Sequence, residues 1–250
     1  MGTPSWAGRV PGQWADLFEL EGVASALVAT RDGIDAVLRD RGLRRTPPEA
    51  TVESLLLGAH ASALLEGSTA TVQQVRDGVG DEVARAAVRI STELLSLGPV
   101  LSRSPLQVLA RLHTLAAAGD VDPEVLGRPR GAASAARLQA LGGLLSAPGE
   151  TPALLVAALA HAEVATATPF VARNGLVARA LERLVLVSRG VDEKSLLVPE
   201  AGHLALRPAY ESNLRAYRDG GAAGAHAWLL YAAEAYTAGA EASPLRRAAE

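Results

Sequence analysis

Thr168-Pro-Phe-Val-Ala-Arg173-Asn-Gly-Leu-Val-Ala-Arg179 is the stretch whose reading decides the fold. A turn at Thr168-Pro169-Phe170 leads into Asn174-Gly175, and an apolar-periodic segment runs from Leu176 to about Arg189. Leu176, Ala180, Leu184 and Val187 recur at helical spacing, and so do Val177, Leu181 and Val185. Asn174 is placed as an N-cap, its side-chain oxygen taking a free N–H of the first turn. The stretch therefore delivers a loop onto a helix N-terminus. Free N–H groups and the positive end of the helix dipole suit such a place to an anion or phosphate. A plain capped helix has the same local pattern.

Working outward, the 250 residues are 49% hydrophobic but only 4% aromatic, so Ala, Leu and Val must build the core. Ala and Leu are strong helix formers, and no period-2 run of β-branched residues stands out. The fold class is all-α. A net charge of −3 leaves no positive excess for a phosphate backbone, so nucleic acid is not an expected partner. Without a cysteine there is no disulfide, thiolate nucleophile or Cys-based metal site, which suits a cytoplasmic chain. The apolar runs at residues 54–65 and 151–162 fall short of the roughly 18 residues that span a membrane, and residues 1–11 carry no leader pattern.

Residues 1–13, rich in Gly and Pro, form an N-terminal arm that Trp6 and Trp14 could tack down, and residues 14–250 form a single helical domain. Helices are expected from about Ala15 to Arg39 with a break near Gly33, and from Pro48 to Glu66 with Gly67 as the stop. A short helix at residues 71–79 and a longer one from Asp81 to a Gly98-Pro99 break follow. Pro105 opens a helix through Ala118. Residues 119–131 are irregular, and helices at 132–146 and 152–165 precede the motif. Beyond it lie a broken stretch at 193–206 and two closing helices at 208–218 and 222–240.

The central stretch resembles the signature of the Fic (Fido) family of AMP-transferring proteins, His-Pro-Phe-x-Asp/Glu-Gly-Asn-Gly-Arg-x-x-Arg. Pro169, Phe170, Asn174, Gly175 and Arg179 match in register. Thr168 stands at the catalytic His, Ala172 at the metal-binding acid, Arg173 at a Gly and Leu176 at the first Arg. Ser62-Ala-Leu-Leu-Glu66-Gly67 is similar to the Ser/Thr-x-x-x-Glu-Gly/Asn pattern of the inhibitory helix that precedes many Fic cores. The resemblance covers residues 50–240, with the inhibitory-type helix at about 48–67. It implies a Fic-like helical bundle with a short vestigial β-hairpin flap at residues 119–131. His161, seven residues before Thr168, fits a structural His of the run-in.

The substitutions bear on the chemistry that the resemblance implies. In that family the motif His acts as base towards a target hydroxyl that attacks the α-phosphate of ATP. Thr168 has no pKa for that task, Ala172 offers no oxygen to Mg²⁺, and Leu176 lacks the guanidinium that clamps phosphates. Arg173 adds bulk where a backbone must approach phosphate closely. The resemblance thus implies a degenerate Fic domain without AMP transfer, serving as a binding or regulatory module for a protein partner or a second copy. The alternative is an active nucleotidyltransferase with a non-standard group, such as His161, at the cleft. Asn174, Gly175 and Arg179 are the nucleotide-binding candidates, and Ser62 and Glu66 the regulatory ones. No cofactor is certain: ATP with Mg²⁺ is the ligand class if the cleft is open, and a Glu66–Arg179 pair would close it. No other site motif is present: no Gly-x-x-x-x-Gly-Lys-Ser/Thr occurs, and His60, His113, His203 and His226 show no metal-ligand spacing.

Overall fold

The apolar runs ahead of and behind the Thr168–Arg179 stretch become two central helices. In the computed structural model, which describes residues 16–39, 47–147 and 151–247, the elements are α1 (Val23–Arg39), α2 (Pro48–Leu65), α3 (Val72–Arg76), α4 (Glu82–Leu101), α5 (Pro105–Ala117) and α6 (Ala132–Ser146). These are followed by α7 (Ala153–Ala167), α8 (Asn174–Ser188), α9 (Pro199–Ala205), α10 (Arg207–Asp219), α11 (Gly221–Glu241) and α12 (Pro244–Arg247). The described residues contain no strand. The N-terminal arm, with Trp6 and Trp14, lies outside the described residues, as does Ala15.

α7 is buried without interruption from Leu154 to Val164, and α8 from Leu176 to Leu186. Helices buried on every side belong inside a protein, and the charged residues they carry here, Glu163, Arg179, Glu182 and Arg183, must find partners there. These two pack on each other, and the remaining elements wrap them: α4 and α5 against α8, α6, α10 and α11 against α7, and α2 against α4 and α9. With few aromatics, close approach of backbones substitutes for large side chains. A methyl group at Gly202 in α9 would overlap the Ala235 carbonyl of α11, and one at Gly224 would overlap the Ala216 carbonyl of α10. Helices brought this close gain dispersion contacts that small residues alone could not otherwise supply.

Three boundaries differ from the sequence expectation. α1 begins at Val23, after turns at residues 16–22, and runs through Gly33 without a break. α4 continues through Gly98-Pro99 to Leu101. Proline there removes one helical bond, a cost limited to the last turn, and Gly98 and Leu101 are buried, so packing holds the turn in place. The expected hairpin flap is absent. Residues 119–131 instead carry a 3-10 turn at Pro123–Val125, because Asp122 caps it by accepting from the Glu124 N–H and Pro123 fits its first position.

Gly202→Ala should lower unfolding free energy by about 2 kcal/mol or more, as forced overpacking does. Gly33→Ala, which meets nothing within 4 Å in the middle of α1, should raise it by about 0.5–1 kcal/mol. Urea titration of both variants checks the pair.

Candidate functional site

α7 ends at Thr168, and two non-glycine residues in left-handed conformation bracket the loop to α8: Thr168 at φ 42° and Arg173 at φ 57°. Such residues need surrounding structure to hold them. Here the Asn174 amide clasps the Phe170 backbone from both sides, accepting its N–H at 2.9 Å and donating to its carbonyl at 2.9 Å. Phe170 is buried and stacks on His113 with centroids 4.4 Å apart. His113 in turn accepts from the Gly127 N–H at 2.9 Å. The Arg130 N–H donates to the Pro169 carbonyl at 2.8 Å, and the Arg173 guanidinium pairs with Asp120. The 119–131 segment is thereby pinned to the loop at several points.

This corrects the expected role of Asn174. Arg173 is the N-cap residue of α8 and makes no side-chain cap, while Asn174 is the first helical residue. Its amide is spent on Phe170, because a loop with two left-handed residues needs that clasp more than the helix needs a cap. Its backbone still belongs to the N-terminal turn that would face an anion.

That turn already faces one. Glu66, the residue that ends α2, puts Oε1 so near Gly175 that a methyl there would overlap it. The same oxygen accepts from Arg179 Nη2 at 2.9 Å. Arg179 is 1% exposed. It also donates through Nε to Ser62 Oγ at 2.8 Å, through Nη2 to the Ser62 carbonyl at 3.1 Å and through Nη1 to Tyr210 OH at 3.1 Å. Burial pulls the guanidinium pKa down, but Tyr210 and Glu66 beside it bring the net shift upward, so it stays charged. The structure thus gathers Ser62, Glu66, Gly175 and Arg179 at one point. Thr168 lies exposed at the end of α7, and Ala172 and Leu176 bring no oxygen or charge to the loop.

His161 is fully buried and does not reach the cleft. Its Nε2 bonds Tyr210 OH at 2.9 Å, and its Nδ1 lies 2.9 Å from Glu182 Oε2, off the direction an N–H would take. Glu182 also receives His203 Nε2 at 2.9 Å on that oxygen and Tyr236 OH at 2.9 Å on the other, and His203 Nδ1 meets Tyr231 OH at 2.8 Å. Burial raises the Glu182 carboxyl, but the two imidazoles outweigh it and hold it well below the usual range. Desolvation dominates at His161 and pushes it down to about 4. His161, Glu182 and His203 are the described group whose ligand atoms, all within 4.8 Å of one another, could converge on a metal ion. Tyrosine hydroxyls meet the outer ring nitrogens and the second carboxylate oxygen, while His161 Nδ1 faces Glu182 without an aligned bond. A second buried pair lies one turn along α8, where Arg183 donates to Glu200 at 2.7 Å and to Ser54 and Ser195.

Sequence reasoning missed Glu182, Arg183, His203 and the hydroxyl role of Tyr210. The available signal was Glu182-Arg183 inside an otherwise apolar helical run, since buried charges require partners.

No protein-family sequence model matches the chain, and no curated protein matches it in sequence. Solved structures do. A Fic family protein from Desulfovibrio desulfuricans superposes with a TM-score of 0.70 at 19% identity, over 87% of this chain and 74% of that one. A fragment of Fic-1 from C. elegans gives 0.68 at 16% identity, over 88% of this chain and 71% of that one. A Glu→Gly variant of that fragment gives 0.64 at 17% identity, over 86% and 70%. The chain has the Fic fold. Within this Fic fold the Thr168–Arg179 stretch is the loop between the two central helices and the first turns of α8, and α2 precedes them in the chain.

The folded His161 pKa of about 4 lies below the unfolded value near 6.5. The unfolded chain therefore binds more protons between these values, so stability is full above about pH 6.5 and falls as pH drops towards 4. His161→Gln should flatten that slope by up to one proton, read from urea unfolding across pH 4–7.

Proposed function

We propose that this Fic-fold chain is a degenerate domain without AMP transfer, a binding or regulatory module whose anion site is held shut by its own carboxylate. The observation that carries the reading is the position of Glu66. Its oxygen sits against Gly175 at the N-terminal turn of α8 while paired to Arg179, the place where a nucleotide phosphate would bind. Thr168 at the base position supports the loss of catalysis, because an aliphatic hydroxyl does not take a proton near neutral pH.

The residues fit the anion and not its usual metal. The backbone of Asn174 and Gly175 and the guanidinium of Arg179 suit a polyphosphate once Glu66 withdraws. Ala172 supplies no ligand for Mg²⁺. Arg173, tied to Asp120, narrows the approach from the 119–131 side. A protein partner or a second copy that draws the end of α2 outward would open the site, which makes the lock a regulatory element.

Calorimetric titration of ATP with Mg²⁺ into the wild type should give no heat, and into Glu66→Gly should give binding at least about tenfold tighter, the scale of one charged hydrogen-bond competitor. No heat from either protein would remove nucleotide from this reading and leave protein partners. With α-phosphate-labelled ATP, neither Glu66→Gly nor Glu66→Gly/Thr168→His should label any protein, since Ala172 and Leu176 remain. Labelling by Glu66→Gly alone would replace the proposal with an active nucleotidyltransferase.

A further inference from the structure

We propose that Tyr210 and His161, backed by Glu182, form a buried relay that holds Arg179 facing the α8 N-terminus when Glu66 leaves it. The proposal deepens the anion-site reading above and rests on it. Arg179 has two sources of anchorage, and they differ in what carries them. Ser62 and Glu66 both lie at the end of α2, one turn apart, so a displacement of that end removes both at once. Tyr210 comes from α10 and is held from the core side. It is the Arg179 partner that a movement of α2 leaves in place.

The bond order of the relay follows from the proton count. A phenol has one proton and can accept as well. Tyr210 OH accepts from Arg179 Nη1 at 3.1 Å, so its own proton goes to His161 Nε2 at 2.9 Å. The proton of the neutral imidazole then sits on Nδ1, on the side of Glu182 Oε2 at 2.9 Å. The two hydrogen bonds, Arg179 to Tyr210 and Tyr210 to His161, therefore run inward from the guanidinium, and Glu182 backs them as a charge 2.9 Å from Nδ1, off the N–H direction. These two bonds in a low-dielectric interior polarise one another, which makes the Tyr210 oxygen a better acceptor for a cation than a lone phenol. His161 and Tyr210 are positioning residues: neither meets a ligand. Trp228, with its ring centroid 5.3 Å from His161 in an edge-on contact and its N–H on the Ala158 carbonyl at 2.9 Å, packs against the imidazole. Tyr236, bonded to the second Glu182 oxygen at 2.9 Å, fixes the carboxylate.

Two measurements test the relay. In the Glu66→Gly/Ser62→Ala background, which removes both α2 side chains from Arg179, ATP titration should show about tenfold weaker affinity on Tyr210→Phe or His161→Leu. His161→Gln should keep the affinity, because its amide oxygen can accept from Tyr210 while its N–H₂ reaches Glu182. A purely packing role predicts the reverse ranking, with the phenylalanine variant harmless and both His161 variants equally impaired. Unchanged affinity in Tyr210→Phe overturns the relay. If Glu66→Gly binds no ATP at all, the anion-site reading fails by itself, and the relay is read without ligand from hydrogen exchange at the Arg179 Nη1 protons, which Tyr210 accepts, by ¹⁵N NMR. Exchange about tenfold faster in Glu66→Gly/Tyr210→Phe than in Glu66→Gly supports it, and equal rates overturn it.

Discussion

A guanidinium buried in the middle of the molecule sets the terms for everything around it. Arg179 cannot lose its proton, and an unpaired charge at that depth would cost several kcal/mol or more. The fold meets this with bonds from three directions: the side chain and carbonyl of Ser62, the carboxylate of Glu66 and the hydroxyl of Tyr210. Satisfying Arg179 therefore ties α2, α8 and α10 together at one point. An ion pair like this one is a poor source of net stability, yet costly to break on one side only. That asymmetry suits a lock better than a staple.

The neighbouring features follow from the same demand for buried polar groups to be paired. Tyr210 passes its proton inward, which leads to His161, Glu182 and His203, and these close on the hydroxyls of Tyr231 and Tyr236. One turn further along α8, Arg183 repeats the device with Glu200, Ser54 and Ser195. α8 is thus apolar on its outer contacts and charged at Arg179, Glu182 and Arg183. Its rigidity lets a loop with two left-handed residues stand at its N-terminus, clasped by the Asn174 amide.

The fold was legible because its signals are local. The spacing of Leu176, Val177, Ala180, Leu181, Leu184 and Val185 dictates a helix, and the Thr168–Arg179 register together with Glu66 marks the two segments that meet. Other features depend on tertiary contacts that no local pattern reports. Pro99 reads as a stop, yet packing of Gly98 and Leu101 carries α4 past it. Asn174 reads as a cap, but the strained loop claims its amide. Residues 119–131 read as a flap, yet Phe170 on His113 and Pro169 on Arg130 fasten them to the loop as a turn. His203 and Tyr210 reveal their role only through partners on α8, 21 and 31 residues away. The charged pair Glu182-Arg183 in an apolar stripe was the visible hint that such partners had to exist.

The central claim is that Glu66 occupies an anion site whose remaining walls are already in place. A crystal structure of Glu66→Gly soaked with ATP tests it most directly. The account predicts phosphate density at the backbone N–H groups of Asn174 and Gly175, with the Arg179 guanidinium still on Tyr210 and turned towards the phosphate. An Arg179 side chain that swings away from Tyr210, leaving the end of α8 without phosphate, would contradict it.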